Sequence, residues 1–153
     1  MRSPTLGSRK HIVQKTFELD SNLWLTHMVA ANAYIEKGLF DEALAEARKA
    51  RQLNDRSSVP ISLVGYALAK SGKQAEARAV LEELLKLSNQ RYVPPFQIAI
   101  VYAGLGERDE TLAWLERAFK ERNQGMVFLK VDPKWNNMRD DPRFQDLLRR
   151  VGF

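Results

Sequence analysis

The chain has 153 residues, 44% of them hydrophobic and 9% aromatic, which is about one ordinary domain with enough apolar content to bury a core. Its 24 Lys and Arg against 19 Asp and Glu leave a net charge near +5 spread along the sequence; no basic stripe is interleaved with aromatics, so nucleic-acid binding is not expected. Without cysteine it has no disulfide, thiol chemistry or cysteine-held metal, and its longest largely apolar stretch, 96–105, is far short of the roughly 20 residues that span a bilayer.

Read from the N-terminus, residues 1–8 form a tail. The charges at Arg2, Arg9 and Lys10 are followed by no apolar h-region, so no signal peptide is read and a cytoplasmic location is expected, although the lack of cysteine leaves the compartment open. Residues 8–19, which end in Phe17, Glu18 and Leu19, look like the second helix of a pair whose first helix is missing. The chain then repeats itself: Gly38, Gly72 and Gly106 stand 34 residues apart, and rows 24–57, 58–91 and 92–125 align without an insertion. Each row's eighth position is small (Ala31, Gly65, Ala99), its eleventh large (Tyr34, Leu68, Tyr102) and its twentieth small or nearly so (Ala43, Ala77, Thr111). Small facing large lets two helices approach closely, and a glycine between them turns cheaply, so each row predicts one antiparallel helix pair. The apolar spacing of Leu44, Ala47, Ala50 and Leu53, and of Val80, Leu81, Leu84 and Leu87, is helical, and strand-like alternation is missing.

Beyond the rows, residues 126–130 begin another first helix that Asp132 and Pro133 stop early. Asp141 reads as an N-cap with Pro142 at the first helical position, and Phe144, Leu147, Leu148 and Val151 make one apolar face ending at Gly152. The predicted fold class is all-α: a solenoid of antiparallel helix pairs over 24–125, preceded by a tail and an unpaired helix over 1–23. A short helix, a loop and a capping helix follow over 126–153.

These columns resemble the tetratricopeptide repeat family, whose signature has a small residue at eight, an aromatic at eleven, glycine near fifteen, and alanine at twenty and near twenty-seven. Ala50 and Ala118 meet the last position, and Leu84 replaces it in the second row. The aromatic of position four is absent at His27, Ile61 and Pro95, and the proline near thirty-two is replaced by Asp55, Asn89 and Asn123. Residues 92–153, notably Tyr92-Val93-Pro94-Pro95-Phe96, Lys130-Val131-Asp132-Pro133 and Asp141-Pro142-Arg143-Phe144, are similar to the C-terminal ends of such arrays in bacterial signalling proteins. The resemblance implies a right-handed superhelix and a non-catalytic scaffold for another polypeptide, cut from a longer regulator.

Candidate chemistry is thin. The acid pairs Asp41/Glu42 and Asp109/Glu110 fall at the starts of second helices, where carboxylates meet free amides, so they read as capping rather than catalysis. His11 and His27 lie on different helices outside any two-ligand spacing; no metal or cofactor is expected, and His27 reads as a packed or half-buried imidazole.

By the resemblance, positions two, five, nine, twelve and thirteen of each row line a concave groove, and a peptide or helix is expected to meet Met28, Asn32, Ile35, Ser62, Tyr66, Lys70, Phe96 and Ile100 there. The same residues could instead pack between neighbouring first helices. The family's clamp for a carboxyl terminus is missing, since only Asn32 matches it. The alternative function is self-association into homo-oligomers through the repeat ends.

Overall fold

The computed structural model describes residues 22–152, and within them every regular element is helical. Helix α1 runs over 22–36, α2 over Phe40–Leu53, α3 over Ser58–Lys70, α4 over Gln74–Ser88, α5 over Pro95–Leu105 and α6 over Arg108–Lys120. Two 3-10 helices, Gln124–Phe128 and Pro133–Met138, lead to α7 over Pro142–Val151. The unpaired helix expected over 8–19 lies outside the described residues.

The 34-residue period is written into the backbone bonds. At each turn the glycine takes positive φ (74° at Gly38, 84° at Gly72, 77° at Gly106), a conformation that glycine adopts without a Cβ penalty. The next amide then reaches back to the eleventh-column residue: Leu39 N–H to Tyr34 O, Lys73 to Leu68 and Glu107 to Tyr102, at 2.9, 2.9 and 3.1 Å. This is the Schellman closure, which satisfies carbonyls that a helix end leaves free. The second helices open with Asp41 and Glu42 in α2 and Asp109 and Glu110 in α6, where the carboxylates face the positive helix end. Pro60 in the first turn of α3 and Pro95 at the start of α5 sit where no intrahelical N–H is required.

Packing follows the columns. Ala31 and Ala99 are wholly buried at position eight, as are Ala43, Ala77 and Thr111 at position twenty. Consecutive helices pack pairwise, α2 on α3, α3 on α4 and α5 on α6, and the first helices α3 and α5 also lie side by side. Helix α3 is therefore central, and Pro60 through Ala69 are all buried on it. This all-α architecture is that of a tetratricopeptide-type helical solenoid. Ion pairs step from one hairpin to the next, Arg51 with Glu83 and Arg78 with Glu107, and Arg150 with Glu116 joins α7 to α6.

Two features after α6 differ from the expected short helix and loop. Residues 126–130 do not start an α-helix; the turn is 3-10 over Gln124–Phe128. The Asp132-Pro133 pair stops it and at the same time starts the second 3-10 helix. The Asp132 carboxylate accepts from Lys134 N–H at 3.0 Å with Pro133 in the first turn, as Asp141 accepts from Arg143 N–H at 2.9 Å ahead of α7.

Candidate functional site

The residues between α6 and α7 cross the face made by the first helices, over the columns assigned to the groove. Asn123 starts the crossing: its Oδ1 accepts from Phe96 N–H at 3.2 Å, which gives the opening amide of α5 a partner. Gly125 follows with no side chain because there is no room for one; a Cβ there would lie 2.3 Å from Phe96 Cε1. The Trp135 ring lies against Phe96, centroids 5.4 Å apart and planes tilted by 57°, an arrangement favoured by the ring quadrupoles. Asn137 Nδ2 donates to Ala103 O at 3.2 Å.

The far end is fastened by a buried cation. Lys134, 8% exposed, donates from Nζ to Asn32 Oδ1 at 2.8 Å and pairs with Asp132 Oδ2 at 3.2 Å. Such a buried ammonium is tolerable only because both partners reach it. The Tyr66 hydroxyl is pushed well above its usual pKa, first by burial and then by the nearby Asp132 carboxylate. The phenol stays neutral at any physiological pH and acts here as packing with a polar tip.

Each residue expected in the groove can now be placed. Met28, Ile35, Ser62, Tyr66, Phe96 and Ile100 are all buried, and Asn32 is half-buried with its amide oxygen used by Lys134. Ser62 Oγ lies 2.6 Å from Gln97 Oε1, so its hydroxyl ties α3 to α5. Asn32 also donates from Nδ2 to Met28 O at 3.0 Å. Lys70 stands apart from this group: it is exposed, with Nζ 5.4 Å from the centre of the Phe40 ring at the start of α2. Asp132, Lys134, Trp135 and Asn137 belong to the site and were not expected there. The signal for them was the repeated Asp-Pro pair, which marks two helix starts rather than one.

What remains open is a cleft of about 360 Å³ at the Asn32 end, between Asn32, Ile35 and Glu36 on one side and Phe128, Val131 and Pro133 on the other. Its lining is mixed: Glu36, Asp132 and Lys134 bring charge, while Phe128, 59% exposed, and Val131, 74% exposed, are apolar. His27, earlier on α1, is paired with the neighbouring helix: its Nδ1 lies 2.5 Å from Glu46 Oε2 on α2. That hydrogen bond holds the Glu46 carboxyl below its usual pKa, against a smaller opposing effect of burial. Among the described residues no three His, Asp or Glu side chains gather as a metal site would require, and no helix is long and apolar enough to cross a membrane.

The family model described as tetratricopeptide repeat matches residues 62–91, which run from α3 through α4. No curated protein and no solved structure matches the chain. The match supports the tetratricopeptide repeat family, whose repeats generally mediate protein–protein interaction and are generally non-catalytic.

Proposed function

We propose that this chain is a protein-interaction module, without catalysis, that receives an apolar peptide or helix along the face of α1, α3 and α5. On this reading rows 24–57, 58–91 and 92–125 are three repeats, 126–153 ends the array, and the whole is a cytoplasmic piece of a larger bacterial regulator. The last point leans on the resemblance of residues 92–153 to array ends in such proteins. One observation carries the binding proposal: this face already accommodates a length of polypeptide, with an aromatic on Phe96, an ammonium on Asn32 and an amide on Ala103 O. A photo-crosslinker at position 32, on the rim, is expected to capture partner polypeptide, whereas one at exposed Gln52 on α2 is not. Equal capture at both positions would remove the groove.

A second reading, self-association through the repeat ends, has its own observation at α1. Val29 is 71% exposed in the column where Leu63, one row later, is 2% exposed. A second copy could cover that face. Light scattering over a range of concentrations tests it, and a strict monomer that Val29→Asp leaves unchanged would count against it.

A further inference from the structure

The segment that crosses the first helices fits its seat incompletely. Trp135 is fully buried, yet its indole N–H has no hydrogen-bond partner, and Asn137 Oδ1 is likewise buried and unpaired. Outside this segment, Ser71 Oγ is the one other such side-chain atom among the described residues. Buried donors and acceptors left unmade are costly, so two of them in one short strap weaken its hold relative to a fully satisfied cap. Its backbone is bonded mostly in 3-10 geometry, poorer than an α-helix offers: the amides of Met126, Leu129, Val131 and Trp135 reach their acceptors at 3.2 to 3.3 Å, and that of Asp132, on Phe128 O at 2.9 Å, is shorter. Its outer side leaves Val127, Phe128 and Val131 in water. Its direct hold rests on Trp135 and Lys134, and tethering adds to it: the strap is joined to α6 and α7 at its two ends, so its local concentration at the groove is high.

We infer that residues 124–138 are the groove's resident occupant, and that the partner is a polypeptide segment of the same chemistry, an aromatic residue beside a basic one. The aromatic takes the place of Trp135 against Phe96, and the cation takes that of Lys134 at Asn32. The open cleft beside Asn32 gives such a segment its entry, and the exposed Glu36 carboxylate on its wall attracts the basic residue. This inference rests on the groove reading above and names both the partner class and what regulates access: the strap must leave before the partner can enter.

The probe is a fluorescein-labelled synthetic peptide with the sequence of residues 126–138, read by anisotropy against the full chain and against the full chain carrying Lys134→Ala with Trp135→Ala. The variant is expected to bind it about tenfold tighter than the intact chain, because the tethered competitor has been weakened. A peptide with alanine at the tryptophan position is expected to lose that gain. In parallel, hydrogen exchange on the intact chain should find the strap amides exchanging about tenfold faster than those of α3 and α5, as local opening requires. Strap amides as protected as those of α3, or a double variant of unchanged helical circular dichroism that binds no tighter, would overturn the inference. If the double variant loses its helical signal, exchange on the intact chain decides alone. Fast exchange with no gain in binding removes the groove as a polypeptide seat and the inference with it. Slow exchange with a gain in binding keeps the groove and removes only the strap's release.

Discussion

The array over 22–121 and the segment after it solve one problem, covering an apolar helical face, by opposite means. In the array the turn and the packing recur 34 residues apart, with the same Schellman bond and the same sealed small residue, while the outer ion pairs, Arg51 with Glu83 and Arg78 with Glu107, join successive rows at different columns. The terminal segment has no period. It holds on through single contacts with distant parts of the chain, Lys134 to Asn32 across 102 residues and Trp135 to Phe96. Repetition spreads stability over many similar interfaces, whereas the strap concentrates it in one indole and one ammonium.

The contrast is broken most directly by truncating one anchor from each region. Trp135→Ala is expected to cost about 3–5 kcal/mol, and Leu84→Ala, fully buried in α4, about 2–5 kcal/mol. The sizes overlap but the form should differ. In urea Leu84→Ala should shift one cooperative transition, while Trp135→Ala should add an early phase in which the strap and α7 release before the array; superimposable curve shapes would mean the two regions fold as one unit. Gly125→Ala comes next. Its methyl group would press on the Phe96 ring, so the strap must lift or the ring must turn, at about 1–3 kcal/mol. A thermal midpoint within error of the parent would show that the seat is looser than described.

Acid should act on both regions. The Glu46 carboxyl is held low mainly by its hydrogen bond with His27, and that of Asp141 mainly by the Arg143 side chain. A carboxylate whose folded pKa is depressed stabilises the fold above its unfolded value, roughly 4, and loses that contribution as pH falls through the lower folded value. Melting temperature should therefore drop below about pH 4. Glu46→Gln should flatten that drop through the array and Asp141→Asn through α7, while a drop of unchanged steepness in both variants would assign the acid sensitivity elsewhere. The smallest effect is expected at the outer ion pair, where Arg51→Ala should cost less than about 1 kcal/mol and lose even that in high salt, because both partners are partly exposed.

Much of the array could be read in advance because its information is local and repeated. Glycines 34 apart gave the turns, the small eighth column gave the helix approaches, and Asp141 with Pro142 gave the start of α7. The strap could not be read the same way. The start of a first helix read at 126–130 is a 3-10 turn, no sustained period runs through 124–138, and Lys134 reads as solvated until Asn32 and Asp132 come to meet it. The groove residues are a third case. Met28, Ile35, Phe96 and Ile100 are apolar at helical spacing, a pattern that serves a ligand face and a packed interface equally well. What lies over them is decided by the fold of a segment elsewhere in the chain.

The contact between Lys134 and Asn32 also has a mechanical meaning. A stack of helix pairs is a curved spring whose ends are free to spread, since each pair touches only its neighbours. A bond from α1 to the segment beyond α6 is the chord of that arc. While it holds, bending the stack open must first stretch one ammonium–amide hydrogen bond; once it lets go, small rotations at each hairpin can add up and the arc is free to change its radius.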